Sequence, residues 1–105
     1  MISVQAKQEK EMLTLSIYGE IDHHSAKEIR RETDRQILTI RPKKVRMDLS
    51  GVSFMDSSGL GLIMGRYALT CDMGTELTVL NPTDAVARII LMAGLDKIVP
   101  MERSK

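Results

Sequence analysis

Cysteine and long apolar runs are scarce in this sequence of 105 residues. The single cysteine, Cys71, excludes an internal disulfide and favours a reducing, cytoplasmic compartment. It follows several apolar residues, which predicts a buried thiol. No stretch reaches the roughly 18 consecutive apolar residues that a membrane-spanning helix needs. The first residues lack the apolar segment of a signal peptide, so we expect neither secretion nor membrane insertion.

Aromatic residues and net charge are also low. There are two tyrosines, one phenylalanine and no tryptophan, and the net charge is +1. A base-stacking surface needs several exposed aromatic rings, and a net charge near zero attracts neither nucleic acid nor acidic lipid. Basic residues concentrate within residues 27–46, where a solvated helix face and loop account for them. We therefore expect no nucleic-acid and no membrane partner.

Alternating apolar residues at the start of the chain predict a hairpin of two strands, residues 2–7 and 12–18, ended by Gly19. Ser25 and Glu28 have the spacing of a capping box, which predicts a helix beginning at Ser25. Its apolar stripe follows helical spacing until Pro42 stops it. The length allows one hydrophobic core, so we expect a single domain over residues 1–105.

The second half alternates strands and helices. Residues 45–49 predict a third strand, broken by Ser50 and Gly51, and residues 58–72 a helix that Gly74 ends. Residues 77–80 predict a fourth strand, followed by a helix through Met92. Either Asp56 or Ser57 caps the first of these helices, and either Thr83 or Asp84 the second. Residues 98–99 suggest a short last strand before Pro100.

The resulting order, β-β-α-β-α-β-α-β, indicates an α/β fold. Helical connections between successive strands favour a mixed sheet of four to five strands flanked by helices. Two segments are candidates for function, Gly19–His24 and Phe54–Gly61, each placed in a loop between a strand and a helix. Because such loops gather at one edge of an open sheet, we expect the two segments to be neighbours.

Ser57 is the residue best placed for chemistry. A serine at a helix start is accessible to a kinase, and a phosphate there meets free backbone N–H groups and the positive end of the helix dipole. The fold should tolerate the modification, and the added charge of about −1.5 to −2 at pH 7 should act on a partner. The alternative is that Ser57 and Ser58 merely cap the helix, with Asp56 either capping it or orienting the serine.

Glycines are frequent in this helix although each costs about 1 kcal/mol relative to alanine. Gly59 and Gly61 either allow close packing against the sheet or leave room for the backbone of a partner. Both interpretations stay open on the sequence alone.

Three catalytic or ligand-binding alternatives are weaker. A serine hydrolase with His23 or His24 as base would need a glycine where Met55 stands. Asp22 and the adjacent histidines lack a second cluster of metal ligands, so no metal site is expected. The glycines after Ser58 depart from the dinucleotide-binding spacing, and no phosphate-binding lysine motif is present. Weak nucleotide binding at the helix starts remains the alternative function, and no cofactor is predicted.

The segment from Phe54 to Tyr67 resembles the signature of STAS-domain anti-sigma factor antagonists. Gly19–His24 is similar to the matching segment of the sporulation branch, the anti-sigma F factor antagonists. The resemblance implies a STAS-like fold and no enzymatic activity. It also implies an anti-sigma factor with serine kinase activity as partner, phosphorylation at Ser57, and a metal-dependent serine phosphatase that reverses it. Such a protein, when unphosphorylated, binds the anti-sigma factor and so releases a sigma factor.

The resemblance further assigns partner contact to residues of both segments: Asp22, His23, His24, Asp56, Ser57, Ser58, Gly59, Leu60 and Gly61. One feature departs from the family pattern. Members usually continue into a further C-terminal helix, whereas this chain stops at Lys105 after a polar tail.

Overall fold

The structure is a computed structural model that describes residues 2–104. Its strands are β1 (Ser3–Glu9), β2 (Met12–Ile21), β3 (Lys44–Met55), β4 (Glu76–Leu80) and β5 (Met101–Glu102). Its helices are α1 (His23–Ile40), α2 (Ser57–Met73) and α3 (Asp84–Met92), with a 3₁₀ turn at Leu95–Lys97. The predicted order of elements is confirmed.

The five strands form one mixed sheet in which spatial order equals chain order, β1-β2-β3-β4-β5. β1 pairs antiparallel with β2, and every later pair is parallel. Three helical crossovers thus step across the sheet in the same direction. Because such crossovers are right-handed, they bring all three helices to one face.

The core lies between that face and the helices. Alternate residues of β2 and β3 are inaccessible to solvent, while the residues between them are partly exposed. The helices contribute their own buried residues to the same apolar cluster: Ile29, Ile37, Leu62, Ile63, Val86 and Ile90. Of the predicted stripe on α1, Ile29, Thr33 and Ile37 are buried, and the Thr33 hydroxyl donates to the Ile29 carbonyl at 2.8 Å.

The predicted ends of β2 at Gly19 and of β3 at Ser50 and Gly51 are wrong, because both strands continue past these residues. The register between them shifts twice, so bulges absorb the extra residues of β3. Gly19 has a φ of 114°, which glycine adopts without strain. At Gly51 a Cβ would lie 2.4 Å from the Tyr18 ring and 3.1 Å from the Ile17 carbonyl oxygen, so a larger residue would require the tyrosine to move.

Two further boundaries differ from prediction. α1 begins at His23 instead of Ser25, because Asp22 is the N-cap, and Ser25, the third residue of the helix, completes the capping box with it. The last strand is Met101–Glu102, beyond Pro100, and residues 98–99 are not in a strand. Proline lacks an N–H but keeps its carbonyl, which accepts from the Val79 N–H at 2.9 Å.

The predicted helix ends are largely correct. Of the alternatives left open, Asp56 caps α2 and Thr83 caps α3. Gly74 ends α2 with a φ of 71°. Cys71 is exposed, so the prediction of a buried thiol is wrong. Within residues 2–104, no helix combines the length and apolar character needed to cross a membrane.

Candidate functional site

The two predicted segments meet at the carboxyl ends of β2 and β3. Ile21 and Met55 are paired in the sheet, and the Asp56 N–H donates to the Ile21 carbonyl at 3.1 Å. The predicted proximity is therefore confirmed. The predicted loops are wrong, because a single residue joins each strand to its helix, Asp22 before α1 and Asp56 before α2.

Asp22 organises the start of α1. Its carboxylate accepts from the backbone N–H groups of His24 at 3.0 Å and Ser25 at 2.9 Å. The Ser25 hydroxyl accepts from the Asp22 N–H at 2.9 Å and donates to the Glu20 carbonyl at 2.8 Å. The hydrogen bond from the Ser25 backbone is the main cause that lowers the pKa of Asp22. The carboxylate is thus held in its charged form by the helix it caps.

Asp56 has the corresponding role at α2, where its carboxylate accepts from the Ser58 N–H at 2.8 Å. Ser57, the first residue of the helix, is exposed, and its hydroxyl has no hydrogen-bond partner among residues 2–104. The interpretation of Ser57 as a helix cap is therefore wrong, since Asp56 supplies the cap. The Ser57 hydroxyl is free for chemistry at the positive end of a helix.

The glycines of α2 separate into two kinds. Gly59 is buried, and a Cβ there would lie 2.2 Å from Met55 Cγ, so the close-packing interpretation holds for it. A Cβ at Gly61 would meet nothing within 4 Å, and Gly61 is exposed. Packing does not require glycine at this second position, which fits the alternative that it keeps the surface open. Leu60, between them, is half-buried against the core.

His23 and His24 are the first two residues of α1 and are both exposed. Their rings lie edge to face with centroids 5.9 Å apart. In the part of the chain that the structure describes, no three His, Cys, Asp or Glu side chains are grouped to hold a metal ion.

A groove runs between α1 and α2 beside the serines. It has a volume of about 440 Å³ and is lined by His23, Ala26, Lys27, Arg30, Ser58, Gly61 and Leu62. We call it the α1–α2 groove. Sequence reasoning assigned Lys27 and Arg30 to a solvated helix face and so missed them as site residues. Their spacing from His23 was the available signal, because residues three to four apart share a helix face.

A buried ion pair joins the same two helices further along. Arg66 Nε of α2 lies 2.9 Å from Asp34 Oδ1 of α1, with side-chain exposures of 6% and 34%. Burial lowers the pKa of the Arg66 guanidinium, and the carboxylate of Asp34 opposes this shift. Sequence analysis did not identify this pair, because nothing in the spacing of Asp34 and Arg66 shows that they face each other.

Large apolar side chains are also exposed near Ser57 along the chain. Phe54 is 49% exposed and Met64 is 41% exposed. Exposed aromatic and methionine side chains are enriched at protein interfaces. The end of the sheet around Ser57 therefore combines a free hydroxyl, two capped helix starts and a basic groove.

This fold, with its exposed serine at the start of α2, is that of a STAS domain. The sequence profile of the STAS domain matches residues 3–105, and the chain belongs to this family. Among curated relatives, it is 34% identical over 100 residues to an anti-sigma F factor antagonist of Paenibacillus polymyxa. That alignment covers 95% of this chain and 86% of the relative.

Solved structures of an anti-sigma factor antagonist, SpoIIAA, are similar in both modification states. The unphosphorylated form matches with a TM-score of 0.83 and 27% identity, covering 98% of this chain and 89% of that one. The phosphorylated form of the Bacillus cell fate determinant SpoIIAA matches with a TM-score of 0.76 and 26% identity, covering 98% and 92%. The expected STAS fold and the resemblance to anti-sigma F factor antagonists are confirmed.

Proposed function

We propose that this protein is an anti-sigma factor antagonist controlled by phosphorylation of Ser57. In the unphosphorylated form it binds an anti-sigma factor with serine kinase activity, and a sigma factor is released. The observation that carries the proposal is the exposed Ser57 hydroxyl at the first residue of α2, where Asp56 already caps the helix. The serine therefore has no structural task that modification would disturb.

Phosphorylation weakens binding to the anti-sigma factor and leaves the fold of this protein unchanged. The added group carries a charge of about −1.5 to −2 near neutral pH. Facing one acidic group of the partner at about 6 Å, it costs roughly 4–5 kcal/mol at an effective dielectric constant near 20. That loss corresponds to about three orders of magnitude in affinity. The similarity of this chain to both modification states of SpoIIAA supports a fold that accommodates the phosphate.

The partner surface consists of the residues around the two helix starts. We assign direct contact to Asp22, His23, His24, Ser57 and Gly61, because these lie at least partly exposed at the end of the sheet. Asp56 is partly exposed at the start of α2, which it caps as Asp22 caps α1, and it belongs to the same surface next to Ser57. Gly59 is buried and Leu60 is half-buried, so these two residues shape the surface. Ser58 lines the α1–α2 groove.

The remaining roles follow from this proposal. The protein is a substrate and ligand of enzymes and itself catalyses nothing. A metal-dependent serine phosphatase restores the active form by hydrolysing the phosphoserine. All partners act in the cytoplasm, where ATP is available as the phosphate donor of the kinase.

A second candidate function is nucleotide binding in the α1–α2 groove. The observation that favours it is the presence of Lys27 and Arg30 beside the start of α2, since cations and helix starts both attract phosphate. Calorimetric titration of the isolated protein with ATP and GTP tests it. Tight binding in the absence of any partner would favour this second function over the first.

The decisive test of the main proposal is incubation with the cognate anti-sigma factor kinase and ATP, followed by mapping of the phosphate. We expect the label on Ser57, its loss in Ser57→Ala, and its retention in the neighbouring variant Ser58→Ala. A label on another residue, or none on the wild-type protein, would contradict the assignment.

A further inference from the structure

The α1–α2 groove contains cations that no carboxylate neutralises. Lys27 and Arg30 make no salt bridge within residues 2–104. Three other basic residues of this region are paired, Arg35 with Glu32, Lys43 with Glu11 and Lys44 with Glu102. Arg31, Arg41 and Arg46 make no salt bridge within residues 2–104 either, but they do not line the groove. Positive charge therefore remains at the groove after the internal pairs are formed.

Two carboxylates, Asp22 and Asp56, lie at the helix starts and outside the groove lining, and each offsets the partial positive charge of the helix that it caps. The positive charge of the groove therefore comes from its own side chains. Arg66 lies one helical turn beyond Leu62, and neither its Nε, which faces Asp34 as an ion pair, nor its Nη1 has a hydrogen-bond partner among residues 2–104. Arg30 is close enough to Arg66 for its charge to act on that guanidinium.

We propose that the α1–α2 groove docks an acidic side chain of the anti-sigma factor, with Lys27 and Arg30 as its charged contacts. This inference rests on the proposed function and adds the chemistry of the partner. A volume of about 440 Å³ admits one or two side chains, such as those of a glutamate and an adjacent apolar residue. Ala26, Gly61 and Leu62 supply the apolar part of the lining.

The position of the groove connects it to the switch. Ser58 lines the groove, and Ser57, which is not part of the lining, directly precedes it in the chain, so a phosphate on Ser57 brings its negative charge close to the groove. The phosphate therefore repels the acidic side chain of the partner and weakens the attraction of Lys27 and Arg30 for it. Phosphorylation thus weakens the contact between the groove and the acidic side chain of the anti-sigma factor, and it also adds bulk at the interface.

Charge reversal with a matched control tests the inference. Lys27→Glu and Arg30→Glu each place a negative charge in the groove, whereas Arg31→Glu makes the same charge change on the other side of α1, beside Ile2 and Val4. We expect the first two to weaken binding of the anti-sigma factor kinase about tenfold or more, and Arg31→Glu by less than about threefold. Amide NMR spectra of each variant show that the fold is retained.

A probe without the kinase gives a second, independent reading. Titration with a pentaglutamate peptide should shift the backbone amides that line the groove in the wild-type protein and in Arg31→Glu, but not in Lys27→Glu/Arg30→Glu. Pentaserine peptide should leave them unchanged. Stronger shifts with inorganic phosphate than with the peptide would assign the groove to a phosphate ligand and overturn the inference.

The outcomes separate this inference from the proposed function. If the kinase binds the wild-type protein and all three variants equally, the groove contact is wrong and the function stands. If the kinase does not bind the wild-type protein at all, the function is wrong, and the peptide titration alone decides whether the groove takes a carboxylate.

Discussion

At the start of α2, two adjacent residues have separate tasks. Asp56 caps the helix through the Ser58 N–H, and Ser57 presents a free hydroxyl to solvent. A serine that capped the helix would lose its cap on modification, at a cost of about 1 kcal/mol. Because the cap belongs to Asp56, the proposed phosphorylation of Ser57 would change the surface without removing a structural contact.

The two glycines next to Ser57 predict opposite effects of the same substitution. Gly59→Ala should lower the free energy of unfolding by about 1–3 kcal/mol, because the new Cβ meets the buried side chain of Met55. Gly61→Ala should raise it by up to about 1 kcal/mol, because alanine favours helix and nothing lies within 4 Å. Urea denaturation measures both. Equal destabilisation by the two substitutions would contradict the distinction between them.

Asp22 gives a prediction in acid. Its pKa is lower in the folded protein than in the unfolded chain, mainly through the Ser25 backbone N–H. Its contribution to stability is therefore present above the unfolded pKa and is lost as the pH falls through the folded value. The free energy of unfolding of the wild-type protein should fall between neutral pH and about pH 3. We expect this fall to be smaller in Asp22→Asn. An unchanged pH dependence of urea unfolding in this variant would refute the role given to the carboxylate.

At the scale of helices and strands, the sequence predicts the type and order of elements better than their ends. Local chemistry predicts the hairpin and the end of α2 at Gly74. It also narrows the N-cap of α2 and that of α3 to two candidate residues each. Gly19 and Gly51 led to wrong strand ends, because glycine is common in turns. In this fold the two glycines lie inside strands, near the β-bulges, and Gly51 packs against Tyr18. Local preference does not distinguish these uses, since the neighbouring strand decides between them.

The ion pair between α1 and α2 predicts an asymmetry between its partners. Asp34→Asn should cost about 2 kcal/mol, because it leaves the buried charge of Arg66 without a counter-ion. Arg66→Met should cost less than about 1 kcal/mol, because the partly exposed Asp34 can be solvated and methionine fills the space of the stem. Urea denaturation compares the two. A larger cost for Arg66→Met than for Asp34→Asn would contradict the asymmetry expected from charge burial.

At the scale of the whole molecule, parallel pairing of β2 with β3 creates the site. It places the starts of α1 and α2 side by side, and the Asp56 backbone N–H donates a hydrogen bond to the Ile21 carbonyl. The sequence predicted this proximity because segments that join a strand to a helix gather at one edge of an open α/β sheet. It did not predict the α1–α2 groove or the Arg66–Asp34 pair, because both depend on how the two helices are rotated against each other.

The most direct measurement compares unphosphorylated and Ser57-phosphorylated protein in calorimetric binding to the anti-sigma factor kinase, alongside backbone amide NMR spectra of both forms. We expect affinity to fall by about three orders of magnitude, with chemical shift changes confined to the residues near the starts of α1 and α2. Retained affinity after complete phosphorylation, or changes spread through the core, would contradict a switch that acts on the surface alone.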